Sequence, residues 1–366
     1  MPSQSENFTI GVEEEYQIIH PATDELSSSS SSVLPIAQQS LGEKAQQELQ
    51  LSQVEAATPI CQTLEDVRAE LIRMRREMLV AAQRRGKQLA AAGTHPFSHW
   101  KDQRVTPKER YQEIEDEYQQ LAREAVFGCH VHIGLQDREM AIQVMNRARV
   151  WLAPILALSA NSPFWLGEDT GYASFRTLMA SRWPTAGQPH YFASFAEYQA
   201  LLQALVATGS VEDSTRIYWD IRLSERFPTL EFRVADCCMT IDETMMIVGL
   251  VRALSQTCYE QAKRNGPLPQ VRPELLRVAN FRAARYGISH QLIDVVDQRS
   301  LPATVIIEKL LTTLRPVLEA DNHWEEMAAL VHEVVHTGNG AMRQRAVYQR
   351  NGRVQDVVDL LVTNFI

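Results

Sequence analysis

Taken with the two-residue alternation of a β-strand, IGVEEEYQII (residues 10–19) puts Gly11, Glu13, Glu15 and Gln17 on one side and Ile10, Val12, Tyr16 and Ile18 on the other. Glu13 and Glu15 then sit side by side. Neighbouring carboxylates repel, and burying either one uncompensated costs roughly several kcal/mol. A divalent cation or an arginine cluster is therefore expected opposite them. Glu14 falls on the apolar side and needs a partner of its own.

The same segregation recurs along the chain. LQLSQVEAAT places Gln53 with Glu55, and AVFGCHVHIGL turns His130 and His132 away from Cys129, Val131 and Ile133. PTLEFRVADC sets Glu231 and Arg233 against Leu230, Phe232 and Val234, and IYWDIRL sets Asp220 and Arg222 against Trp219 and Ile221. Antiparallel sheets are often wet on one side, but a plain solvated side carries Thr, Ser and Lys rather than Glu, His and Arg. The pattern predicts a sheet with helices on its apolar back and a front that forms a floor for metal ions and phosphates. Carboxylates with imidazole suit Mg²⁺ or Mn²⁺ better than a closed structural zinc site, which wants thiolates.

Strands are expected at 8–19, 47–57, 88–93, 126–135, 216–223 and 229–236. Helices are expected at 64–84, 138–158, 302–316 and 322–336, with further starts at Thr106-Pro107, at Ser194 with Glu197 and at Thr240 with Glu243. This mixed order favours α+β over a doubly wound sheet. LSSSSSS (residues 26–32) reads as a mobile loop, and the absence of repeats or boundaries predicts one domain over residues 1–366. A net charge of -9 argues against nucleic-acid or anionic-membrane partners. No apolar run reaches membrane-spanning length, and the polar start MPSQSENF lacks a secretory h-region. Five cysteines without a C-x-x-C pair point to reduced thiols and a cytoplasmic location.

Arginines cluster around the same segments: Arg222, Arg226 and Arg233, then Arg282 and Arg285 in FRAARYG, then Arg343, Arg345, Arg350 and Arg353 after HTGNG. Guanidinium forks match phosphate and carboxylate oxygens. TGNGAMRQR resembles an anion-binding glycine loop but fits neither G-x-x-x-x-G-K-[ST] nor G-x-G-x-x-G, which excludes P-loop and Rossmann sites. VHEVVH contains the H-E-x-x-H zinc signature in His332, Glu333 and His336, so a zinc-dependent hydrolase is an alternative. No third ligand follows at the required spacing: Gly338 comes one position early and Met342 stands where a histidine is needed. An amphipathic helix with two histidines one turn apart is the preferred reading.

In order, GVEEEYQ, SQVEAAT, FGCHVHIG, YWDIR…RFPTLEFRVAD, RAARYG and GNGAMRQR resemble the carboxylate–amine ligase family, often called type 2 glutamate–cysteine ligases, from about Phe8 to Arg350. The pattern is more distantly similar to glutamine synthetase. The resemblance implies a glutamine synthetase-like fold, mostly an antiparallel sheet with one active side. It implies ATP and Mg²⁺ or Mn²⁺, glutamate and cysteine as substrates, and an acyl phosphate intermediate; a homodimer is expected separately, as the oligomeric state has no sequence signal. The resemblance also implies Glu13, Glu15, Glu55, His130 and Glu231 as metal ligands, and Arg233 as the phosphate-contacting arginine with Arg222 beside it. His132, Arg282, Arg285, Asn339, Arg343 and Arg345 are expected to bind ATP or substrate. Leu223 replaces an expected proline, and Val278-Ala279 an expected acid–amide pair; both changes bear on substrate rather than chemistry. A non-catalytic relative that senses nucleotide or amino acid is a further alternative.

Overall fold

The computed structural model describes residues 6–366. Its main sheet uses β1 (Ile10–Ile19), β2 (Ala45–Gln47), β3 (Gln53–Ala57), β4 (Gln88–Ala90) and β5 (Gly128–Gly134). Two short strands, β6 (Phe164–Trp165) and β7 (Glu168–Asp169), form a separate hairpin. The main sheet resumes with β8 (Ile221–Leu223) and β9 (Thr229–Asp236), and β10 (Gln291–Asp294) pairs only with β11 (Arg299–Pro302). Strand order is β2-β3-β1-β5-β9-β8, every neighbour is antiparallel, and β4 continues the β5 side along the end of β1.

The apolar side of this sheet, including Val12, Tyr16, Val54, Cys129, Val131 and Phe232, is buried against helices. Helix Leu64–Gln83 starts at a capping box between Thr63 and Asp66, and it buries Leu64, Val67, Leu71, Met74 and Met78 at helical spacing. Helix Ile241–Lys263 starts the same way, at Thr240 and Glu243, and is buried on several sides because other helices pack around it. Gly249 permits one of these contacts: a Cβ there would collide with Sδ of Met327 from helix Trp324–Thr337.

Several expectations need correction. The serine run is no mobile loop, since Ser30–Leu41 is a helix that anchors Val33, Leu34, Ala37 and Leu41 in the core. The strand expected at 47–57 is interrupted after Gln47, and that at 216–223 begins only at Ile221. The helix expected after Thr106-Pro107 starts at Glu109 and breaks at Gln119, whose φ is 52°. The 138–158 helix passes through a 3₁₀ turn at Arg149–Trp151 and restarts at Leu152, so that Pro154 falls in a first turn, where its missing N–H costs nothing. No helix among the described residues is long and apolar enough to cross a membrane.

Candidate active site

Strand register assembles the polar side. Glu15 pairs with Glu55 across β1 and β3, Glu13 with His130 and Gly11 with His132 across β1 and β5. His132 then pairs with Glu231, and Glu231 with Arg222. A bulge opposite His130 gives β9 one extra residue, and there the Arg233 N–H turns to the carbonyl of Asp220 at 2.8 Å.

Two sets of ligand atoms converge, each within 4.8 Å of one another: Glu13, His132 and Glu231 in one, Glu15, Glu48 and Glu55 in the other. The sequence reading missed Glu48 because it lies in the turn after β2, where alternation gives no signal. The available clue was the hairpin itself, which pairs Gln46 with Glu55 and so carries Glu48 toward the carboxylates. His132, expected to contact ATP or substrate, supplies the imidazole of the first set. His130 sits beside that set, with Nδ1 3.3 Å from Glu13 Oε2 and 3.4 Å from Arg233 Nη1.

Charge is unevenly compensated. Burial pushes Glu15 up to about 8, helped by the Glu48 charge. Burial likewise raises Glu55 well above the ordinary carboxylate value, reinforced by Glu13, Glu48 and Glu15, and it raises Glu48. Burial would also raise Glu13, but His130 and His132 hold it well below the usual range. Glu231 is similarly depressed against its burial by Arg233 and Arg222. Burial and the Arg233 charge push His130 down to about 4, leaving it neutral.

These residues fit divalent cations. The second set offers only oxygens, the donor chemistry of Mg²⁺ and Mn²⁺, and it is a trio of acids that nothing else neutralises in full. In the first set, Nε2 of His132 is buried with only Glu13 Oε1 beside it at 3.3 Å, while its Nδ1 lies 3.0 Å from Thr229 Oγ1, the contact that orients a metal-binding imidazole.

Arg222 and Arg233 divide the work. Arg222 grips Glu231 through Nε at 2.8 Å and Nη2 at 3.1 Å, and donates through Nη1 to the carbonyls of Thr215 and Ile217, so four of its five donors are committed. The Arg233 guanidinium uses Nη1 alone, toward Glu231 and His130, and its Nε and Nη2 make no hydrogen bond among the described residues. Gly128 belongs to this floor: a Cβ there would lie 2.7 Å from Arg176 Nη2 and 3.0 Å from His130 Nε2, and its N–H donates to Glu15 Oε2 at 2.5 Å. Above lies a cavity of about 1460 Å³, lined by both carboxylate sets, Arg233, Arg176, Trp183 and Tyr218.

Five expected binding residues lie outside that cavity. Arg343 pairs with Glu243, and Arg345 grips Asp169 at 2.7 and 2.8 Å. Arg285 stacks over Tyr172 and Tyr286, Arg282 donates to Ser300, and Asn339 caps helix Gly340–Asn351. The partners of Arg343 and Arg345, Glu243 and Asp169, lie far away in the chain, so the local sequence carries no sign of these pairs. The zinc alternative also fails. His332, Glu333 and His336 are exposed on helix Trp324–Thr337, His332 pairs with Glu308 at 2.8 Å, and no third ligand joins them among the described residues.

Glu14 finds its partner on the other side of the sheet. Arg75 binds it at 2.6 and 3.0 Å, and the hydroxyls of Thr244 and Tyr16 each donate to it at 2.7 Å.

Solved structures share this architecture. A glutamate–cysteine ligase from Francisella tularensis, crystallised with AMP, superposes with a TM-score of 0.75 over 99% of this chain and 89% of its own, at 9% identity. A bifunctional glutathione synthetase from Pasteurella multocida gives 0.71 over 98% of this chain and 52% of its own, at 16% identity. The fold is thus that of the glutamate–cysteine ligases. In sequence, the "Putative glutamate--cysteine ligase 2" of Rhodopirellula baltica is 40% identical over 98% of this chain and 97% of its own. The protein of the same name in Herpetosiphon aurantiacus is 39% identical over 97% of this chain and 92% of its own. The profile described as "Glutamate-cysteine ligase family 2(GCS2)" matches residues 9–360, and the chain belongs to that family.

Proposed function

We propose that this chain is an ATP-dependent carboxylate–amine ligase that joins the γ-carboxylate of glutamate to the amine of cysteine. Family membership supports a ligase. The observation that carries the chemistry is the pair of converging ligand sets beside a partly uncommitted Arg233 on one cavity floor. That many acids serve poorly in a protein that only senses its ligand.

Glu13, His132 and Glu231 would hold one divalent ion, and Glu15, Glu48 and Glu55 another. Bound there, the ions supply positive charge that neutralises triphosphate oxygens. Arg233 donates to the phosphoryl group in transfer, an interaction worth about 3–4 kcal/mol in the transition state. Arg222 keeps Glu231 ionised and oriented, and neutral His130 spaces Glu13 from Arg233. A carboxylate oxygen of glutamate attacks the γ-phosphorus, ADP leaves, and the resulting acyl phosphate loses phosphate as the amine nitrogen forms the amide.

The test is ADP release from Mg²⁺-ATP with glutamate and cysteine, with mass spectrometry for the amide. ADP and amide in equal amounts are expected; ADP with no amide from any amino-acid pair would reject the reading.

A further inference from the structure

One carboxylate in the cavity wall belongs to neither ligand set. Asp220 sits just before β8, with its N–H bonded to the carbonyl of Gly187 at 2.8 Å and its carbonyl accepting from the Arg233 N–H at 2.8 Å. Its Oδ2 accepts from Asn280 Nδ2 at 2.7 Å, and Asn280 Oδ1 accepts from Gln188 Nε2 at 2.9 Å. The row ends on Gln188 Oε1, which is buried without a hydrogen-bond partner. All three residues line the reaction cavity.

The neighbouring cations pair with other acids. Arg222 and Arg233 pair with Glu231, and Arg176 pairs with Asp236 at 3.6 Å. Asp220 forms no ion pair within 4.0 Å among the described residues. Burial pushes its carboxyl up to about 6, while the more distant charges of Arg176 and Arg233 pull it back, so much of it is ionised at neutral pH. Asp220 and Gln188 both line the cavity, and a carboxylate with a neighbouring amide oxygen offers acceptors suited to a monovalent donor. A divalent ion would settle instead on the trios of ligands nearby.

We infer that Asp220, positioned by Asn280 and flanked by Gln188, forms the subsite that binds the ammonium group of an amino-acid substrate. An ammonium brings three N–H donors and one positive charge, and hydrogen bonds between ionised partners are about twice as strong as neutral ones. The inference rests on the ligase reading for its substrates. Both acid and attacking amine carry such a group, and the experiment separates them.

Isothermal titration of the full chain, with Mg²⁺ and a non-hydrolysable ATP analogue, compares glutamate with glutarate and cysteine with 3-mercaptopropionate. Wild type is expected to prefer the aminated member of one pair, and Asp220→Asn to lose that preference by on the order of 10- to 100-fold. Loss in the glutamate pair assigns the subsite to the acid substrate, and loss in the cysteine pair assigns it to the attacking amine. Gln188→Met, a milder change, is expected to lose several-fold in the same pair and serves if Asp220→Asn does not fold. Wild type without a preference, a variant that keeps it, or equal loss for aminated and deaminated ligands overturns the subsite, the last by showing that Asp220 only clamps the helix at Asn280. Amide formation by wild type, measured separately, tests the ligase reading without touching the ammonium preference.

Discussion

Glu14 and its two neighbours are adjacent in one strand yet live under opposite electrostatic rules. Glu14 faces the helices, fully buried, and the protein neutralises it internally with the Arg75 fork and two hydroxyls. Arg75 is locked in turn by the carbonyls of Cys238, Met239 and Phe365. Glu13 and Glu15 face the cavity, where the chain gathers further acids rather than enough bases. A structural carboxylate is completed by its own chain; a functional one is left for a ligand to complete.

The largest expected effect breaks the structural side. Arg75→Met leaves Glu14 charged and unpaired in the core, which should cost about 3–5 kcal/mol in chemical denaturation, far beyond the effect of Glu15→Gln. On the cavity side, Glu13→Gln, Glu15→Gln or Arg233→Ala should each lower ADP release by on the order of 10²-fold or more, with metal-free melting raised for Glu15→Gln but lowered for Glu13→Gln and Arg233→Ala, which remove compensated pairs. Arg222→Lys keeps the charge but loses the two-pronged hold on Glu231, and should weaken divalent-ion affinity by roughly 10-fold in a Mn²⁺ titration.

Glu15 and Glu14 also respond oppositely to pH. Glu15 has a raised value, so its contribution to metal-free stability is present below the ordinary carboxylate value and is lost as pH climbs through about 8. Metal-free melting should therefore fall by a few degrees between pH 6 and pH 8.5, and Mg²⁺ should restore it more at the higher pH. Glu14, whose value is lowered by Arg75 against its burial, stabilises above the ordinary value, and that contribution fades only in acid. Smallest of all, His332→Ala and His336→Ala should change stability by no more than about 0.5 kcal/mol and leave ADP release unaltered.

Strand parity made much of this legible in advance. It placed Glu13, Glu15, Glu55, His132, Glu231 and Arg233 on one side, because side-chain alternation is a local rule that tertiary structure had no reason to override. It also marked Glu14 as needing a separate partner, although only the fold shows that Arg75, sixty-one residues away, supplies it. Glu48 lay beyond the reach of parity in a turn. Arg343 and Arg345 of TGNGAMRQR pair with Glu243 and Asp169 outside the cavity, contacts that composition near a glycine loop does not signal. The H-E-x-x-H motif reads as an amphipathic helix because it lacks a third ligand, and packing through Val331 and Val334 turns its histidines to solvent.

The most direct test of the central claim is a Mn²⁺ titration of wild type, Glu15→Gln and Glu231→Gln at pH 8. Two saturable sites are expected in wild type, with a different one lost or weakened at least 10-fold in each variant. Absence of saturable binding in wild type, or binding that neither substitution changes, would contradict the assignment of the cavity carboxylates to divalent ions.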